Sequence, residues 1–126
     1  LAFFIKKKYY IRARILFYSL ITGLFFKTII KELIQRARPM NMLIEETEFS
    51  FPSGHAVFAA LLFTFIIYAF KDEIKNKTAR YSFIAISIIL MLLISFSRLY
   101  LKVHWFSDVL TGFFLGIFIL TSIILK

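Results

Sequence analysis

The chain has 126 residues, is 60% hydrophobic with 17 phenylalanines, and has a mean hydropathy of +0.82, whereas a soluble domain is roughly half apolar. It has no cysteine, which excludes disulfides and thiolate metal sites and leaves the redox compartment open. A net charge of +9 in a soluble protein would suggest nucleic-acid binding, but here the basic residues fall between long apolar runs, so they read as a membrane topology signal and no nucleic-acid partner is expected.

At the start, the apolar Leu1 to Ile5 is followed by Lys6, Lys7 and Lys8. This reads as the last turn of an earlier span leaving the membrane into the cytoplasm. A signal peptide has the reverse order, basic before apolar. Four long apolar stretches follow. Residues 15 to 30 are broken only by Lys27, and residues 56 to 70, 81 to 97 and 109 to 125 carry no charge. Each falls somewhat short of the roughly 20 residues of a spanning helix but extends by a turn into amphipathic flanks. Four such runs leave too little polar surface to cover them as soluble helices. The expected fold class is therefore all-α, an integral-membrane bundle with four transmembrane spans. In the last span Gly112 and Gly116 form a small-xxx-small pattern that packs one helix closely on another, within the chain or between chains.

Charge asymmetry orients the spans. Placing the segment before residue 15, the 71 to 80 loop and the C-terminus on one side collects ten of the sixteen basic residues there, which makes that side cytoplasmic. The opposite side receives Lys31, Arg36, Arg38, Arg98 and Lys102. The acidic run Glu45-Glu46-Thr47-Glu48 lies there too, in the loop joining the first two spans, and reads as a solvated loop face.

Three polar clusters stand at these extracytoplasmic ends. They are Lys31 with six residues to Arg38-Pro39, then Pro52-Ser53-Gly54-His55, then Ser97-Arg98 with five residues to His104 and three more to Asp108. Titratable groups beside a bilayer are costly, so their collection points to function. On a continuous helix Lys31 and Arg38 would lie two turns apart on one face, and the arginine fork suits phosphate oxygens. Lys27 extends that stripe but reads as a snorkelling or structural lysine. Glu32 and Arg36 read as a local i, i+4 helix salt bridge.

Ser53 is placed as the N-cap of the second span, so free backbone N–H groups and the helix dipole would face an anion that Gly54 lets approach closely. His104 and Asp108 are one helical turn apart. The carboxylate would hold one ring nitrogen and leave the other aimed at a substrate.

In identity, order and spacing, the clusters over residues 31 to 108 resemble the three-part signature of the type-2 phosphatidic acid phosphatase superfamily, which includes bacterial acid phosphatases and vanadium haloperoxidases. The resemblance implies that His104 is the nucleophile, forming a phosphohistidine, that His55 is the general acid, and that Asp108 orients His104. Lys31, Arg38, Ser53, Gly54 and Arg98 would bind the phosphoryl oxygens. No metal and no cofactor are implied. Membrane members usually have six spans with this signature in the last four, so residues 1–126 are expected to form a single membrane-embedded catalytic domain lacking N-terminal spans.

The implied activity is hydrolysis of the terminal phosphate of a lipid phosphate or diphosphate in the cell membrane. Undecaprenyl diphosphate, phosphatidylglycerol phosphate and phosphatidic acid are candidate substrates. Vanadate-dependent haloperoxidase chemistry and non-catalytic binding of lipid phosphate are the alternatives. The sequence departs from many relatives at Lys102 and Phe106, where they carry Gly and Pro. The oligomeric state is left open.

Overall fold

The computed structural model describes residues 2–126, with side chains from Lys7 onward. Four helices account for most of it: α1 (Ala2–Ile34), α2 (Gly54–Phe70), α3 (Lys77–Tyr100) and α4 (Phe106–Ile124), with a 3-10 turn at Lys71–Glu73 after α2. The all-helical class expected from the sequence is the class observed. The stretches Lys7–Ile34, Gly54–Glu73, Lys77–Tyr100 and Phe106–Ile124 are each long and apolar enough to cross a membrane.

The N-terminal segment is part of the first helix. The basic residues 6 to 14 lie within α1, which runs unbroken from Ala2. No proline precedes Pro39 and no glycine precedes Gly23, so nothing in this stretch stops a helix. Leu1 lies outside the described residues. Lys8 and Arg12 of α1 pair with Glu73, tying the first helix to the turn after α2.

Helix ends are set by local chemistry, and four of them assemble the site. α1 stops where Gln35 adopts φ 48° and donates its N–H to the Lys31 carbonyl at 2.9 Å, an αL stop. α2 begins at Ser53, whose hydroxyl accepts the Ala56 N–H at 3.4 Å, as the sequence suggested. α3 closes in a Schellman arrangement: Lys102 takes φ 55°, its N–H reaches the Leu99 carbonyl at 2.9 Å, and the Val103 N–H reaches Arg98 at 3.2 Å. Lys102 therefore occupies a left-handed position that favours glycine, which gives its departure from the family pattern a backbone meaning. α4 starts after Trp105, whose N–H is taken by the Asp108 carboxylate at 2.8 Å.

Because consecutive helices alternate in direction, the C-terminal ends of α1 and α3 and the N-terminal ends of α2 and α4 lie together. α2 is the central helix and packs against the other three, most extensively against α4. Leu61, Phe65 and Ala69 of α2 form a buried cluster with Ile119 and Leu120 of α4. The outward faces keep large apolar groups exposed, among them Phe17, Ile89, Phe96 and Phe118. Lipid would cover such faces.

The glycine pair finds its partner inside the chain. A Cβ added to Gly112 would sit 2.6 Å from the Ser53 carbonyl oxygen, and one on Gly116 would collide with the Val57 carbonyl. Both obstacles are backbone, so neither can rotate away. Gly112→Val is expected to push α4 off α2 and to lower stability by about 1–3 kcal/mol, the usual range for overpacking. Thermal unfolding in detergent micelles, followed by circular dichroism, checks this.

Candidate active site

The four converging helix ends enclose a cleft of about 490 Å³. Lys27 and Lys31 reach it from α1, Arg38 from the loop that follows, Gly54 and His55 from the start of α2, and His104 from the link before α4. Most of the signature thus meets in one place. Ser53, Arg98 and Asp108 form the layer behind the cleft wall, Ser53 and Asp108 with no exposed surface and Arg98 buried.

Arg38 arrives differently from the sequence expectation. α1 ends at Ile34, so Lys31 and Arg38 do not share a helical stripe. Arg38 stands on the extended segment after Gln35, held by bonds from Nε to the Glu48 carbonyl at 2.7 Å and from Nη1 to the Val103 carbonyl at 2.8 Å. Its Nη1 lies 3.4 Å from His104 Nε2. The early helix stop is what lets an arginine seven residues on fold back over the cleft.

The same stop overturns the expected Glu32–Arg36 salt bridge. Arg36 lies beyond the helix and donates through Nη1 to Asp108 Oδ1 at 2.9 Å and to Ser107 Oγ at 2.6 Å, with its guanidinium over the Trp105 ring. The Trp105 indole N–H donates in turn to the Ala37 carbonyl at 3.0 Å. Sequence reasoning set Arg36 aside because a partner four residues away was sufficient. An arginine next to a proline-terminated signature was the signal available.

His104 and Asp108 are not on one helical turn. His104 precedes α4, and Asp108 is the third residue of that helix. The Asp108 carboxylate is spent on Arg36 through one oxygen and on the Trp105 N–H through the other, and His104 Nδ1 approaches this second oxygen at 3.6 Å. That is beyond hydrogen-bond reach, so Nδ1 is buried without a partner. The carboxylate still faces Nδ1 and leaves Nε2 toward the cleft. Ser53 is fixed from below, its backbone N–H donating to the Asp108 carbonyl at 3.0 Å.

Arg98, in the last turn of α3, places Nη1 3.3 Å from both ring nitrogens of His55. Among the described residues no carboxylate lies within ion-pair distance of it, and its Nε is buried without a partner. A buried charge left this way is costly in isolation.

The acidic run is not merely a solvated face. Glu48 Oε2 accepts from Lys31 Nζ at 2.8 Å and lies 3.6 Å from Lys27 Nζ, while Glu46 Oε2 is 3.6 Å from Arg38 Nη2. The hydrogen bond and charge of Lys31, and the charge of Lys27, hold the Glu48 carboxyl below the ordinary carboxylate range. A depressed carboxyl keeps its pairing above its unfolded pKa and loses it as pH falls through the lower folded value. Glu48 is therefore ionised throughout the neutral range. Lys27, read from sequence as a snorkelling lysine, points its ammonium into the cleft beside Glu48.

Comparison with known proteins bears on this arrangement. Residues 12–125 match the family model described as the PAP2 superfamily. The chain belongs to the PAP2 superfamily. It is 39% identical over 94 residues to phosphatidylglycerophosphatase B of Bacillus subtilis (strain 168), covering 71% of this chain and 45% of that protein. The chain thus spans about half the length of the curated relative it matches. It also resembles the crystal structure described as the first transmembrane PAP2-type phosphatidylglycerolphosphate phosphatase from Bacillus subtilis. The TM-score is 0.76 at 30% identity, over 97% of this chain and 67% of that one. The four helices thus have the arrangement of a membrane protein of this superfamily.

Arg36→Ala is expected to leave the buried Asp108 carboxylate short of one charged donor. Arg36 is itself partly exposed, so the loss is set at about 1–3 kcal/mol, the range for a bond to a charged group. Arg36→Lys should recover part of it. Unfolding of the two variants in the same detergent measures the difference.

Proposed function

We propose that this chain is the catalytic part of a membrane phosphatase that removes the terminal phosphate from a lipid phosphate or diphosphate. The observation that carries the proposal is Arg98, a buried guanidinium with no carboxylate partner among the described residues, set against His55 at the back of a cleft that also holds Lys31, Arg38 and His104. A dianionic phosphoryl group supplies the charge this frame lacks. The similarity to phosphatidylglycerophosphatase B of Bacillus subtilis supports a lipid substrate.

In the proposed reaction His104 Nε2 attacks phosphorus, because Nδ1 is turned to Asp108. The N–P bond forms as the bond from phosphorus to the lipid oxygen breaks, and His55 gives its proton to that oxygen. Water then attacks the phosphohistidine, His55 takes up a water proton, and the N–P bond breaks to release phosphate and regenerate His104. Lys31, Arg38 and Arg98 hold the equatorial oxygens where charge accumulates, which is electrostatic stabilisation by donors already in place. Gly54 and the start of α2 add backbone N–H groups, and Asp108 favours the imidazolium-like state of His104. The cations perform the role that a metal serves in other phosphoryl-transfer sites. The distribution of basic residues supports an extracytoplasmic site.

Purified protein in detergent is expected to release phosphate from lipid phosphates at a rate that EDTA leaves unchanged. His104→Ala should lower that rate by at least about 10³-fold, as loss of a nucleophile does in other covalent mechanisms. Full activity in the variant would eliminate the assigned nucleophile. Bromide oxidation with added vanadate in place of phosphate release would point to haloperoxidase chemistry. For orientation, a cysteine placed at Asn76, in the turn before α3, should react with a membrane-impermeant maleimide only from the cytoplasmic side.

A further inference from the structure

Lys27 has no role in the chemistry proposed above, yet its side chain is only 16% exposed and its ammonium opens into the same cleft. It lies one helical turn before Lys31, further from the end of α1. Its aliphatic stem crosses the start of α2 so closely that a Cβ on Gly54 would meet Lys27 Cδ at 3.2 Å. Beyond this point the cleft wall turns apolar, with Phe58, Leu62 and Phe63 of α2 and Ile94 of α3. Lys27 thus stands between the cations around the two histidines and the apolar lining. A bound lipid must pass from scissile phosphorus to hydrocarbon chain across that position.

Glu48 marks what the position accepts. One oxygen atom, Oε2, is shared by the ammonium groups of Lys31 and Lys27 at 2.8 and 3.6 Å. Lys31 is buried and Lys27 half-buried, while the Glu48 side chain is 61% exposed on the loop. The carboxylate is therefore the replaceable partner. A terminal phosphoryl group that takes the place of Glu48 on Lys31 removes the counter-ion of Lys27 with the same oxygen. A buried ammonium left without an anion is costly, and an anionic oxygen one step along the substrate relieves that cost.

We propose that Lys27 is a specificity-determining residue that binds a second phosphoryl group in the substrate, next to the one removed. The inference rests on the phosphatase reading and narrows its substrate class to headgroups with two phosphoryl groups. The two groups are joined directly, as in a prenyl diphosphate, or through a glycerol, as in phosphatidylglycerol phosphate. The two ammonium groups converging on a single oxygen favour the directly joined arrangement.

The test compares wild type, Lys27→Met and Lys27→Arg with four substrates in detergent micelles. Farnesyl diphosphate is set against farnesyl phosphate, and phosphatidylglycerol phosphate against phosphatidic acid. Wild type should favour the two-phosphoryl member of at least one pair in kcat/KM. Lys27→Met should reduce that preference about tenfold or more, mainly through KM, as expected for loss of a charge-assisted bond. Lys27→Arg should keep most of it, and the affected pair identifies the linkage.

An equal loss on both members of each pair would make Lys27 a structural residue and overturn the proposal, as would an absence of preference in wild type. A parallel arm needs no turnover: calorimetric binding of farnesyl methylenediphosphonate against farnesyl phosphonate should show the same Lys27-dependent preference. If no lipid is hydrolysed but this preference holds, the phosphatase reading fails and the two-phosphoryl site stands. If Lys27→Met loses its cooperative melt, Glu48→Gln decides. It should tighten the diphosphonate more than the monophosphonate, and equal tightening counts against the proposal.

Discussion

The Asp108 carboxylate, with no exposed surface, is the point on which the polar end of the bundle depends. Its oxygens take Arg36 from the loop after α1 and the Trp105 N–H at the head of α4, and its backbone carbonyl takes the Ser53 N–H at the head of α2. A buried carboxylate is stable only when its lone pairs are met. Meeting them here brings together the segments at residues 36 and 105, and the backbone carbonyl of the same residue adds the segment at residue 53. The ring of His104 faces the same group through Nδ1, at 3.6 Å. One buried residue therefore organises both the loop that carries Arg38 and the starts of two helices, through its carboxylate at α4 and its backbone carbonyl at α2.

Around this anion the cations divide into two sets. Arg36 is held by Asp108, while Lys27, Lys31 and Arg38 are held by the glutamates of the loop over the cleft. Arg98 has neither kind of partner among the described residues. The exposed Glu48 compensates the charges of Lys27 and Lys31. On the proposed function, binding of phosphate in such a frame would be an exchange of anions. Its selectivity would then depend on how many of the freed cations the incoming headgroup satisfies.

The apolar helix faces supply the other half of the design. Gly112 and Gly116 let α4 approach α2 backbone to backbone, which brings Asp108 beneath Ser53. A side chain at either glycine would separate the helix starts before it affected any cleft residue. Packing deep in the bundle and geometry at its mouth are thus one constraint.

Much of this was legible in the sequence. Four uncharged runs imply four helices because hydropathy and helix formation are properties of adjacent residues, and the Ser53 cap is equally local. The spacing of Lys31, Arg38, His55, Arg98, His104 and Asp108 identified the superfamily and marked the cleft together with the layer behind it. What only the tertiary structure decided were the partners of charges far apart in the chain. Arg36 binds Asp108 instead of Glu32, Lys27 turns to Glu48, and the acidic run folds over the cations. The helix stops at Gln35 and Lys102 also escaped the sequence, since neither residue is one that favours a positive φ. Local pattern specifies elements because its energy is summed over neighbours. Ion pairing is decided by which groups packing brings within a few ångströms, and no short stretch of sequence contains that distance.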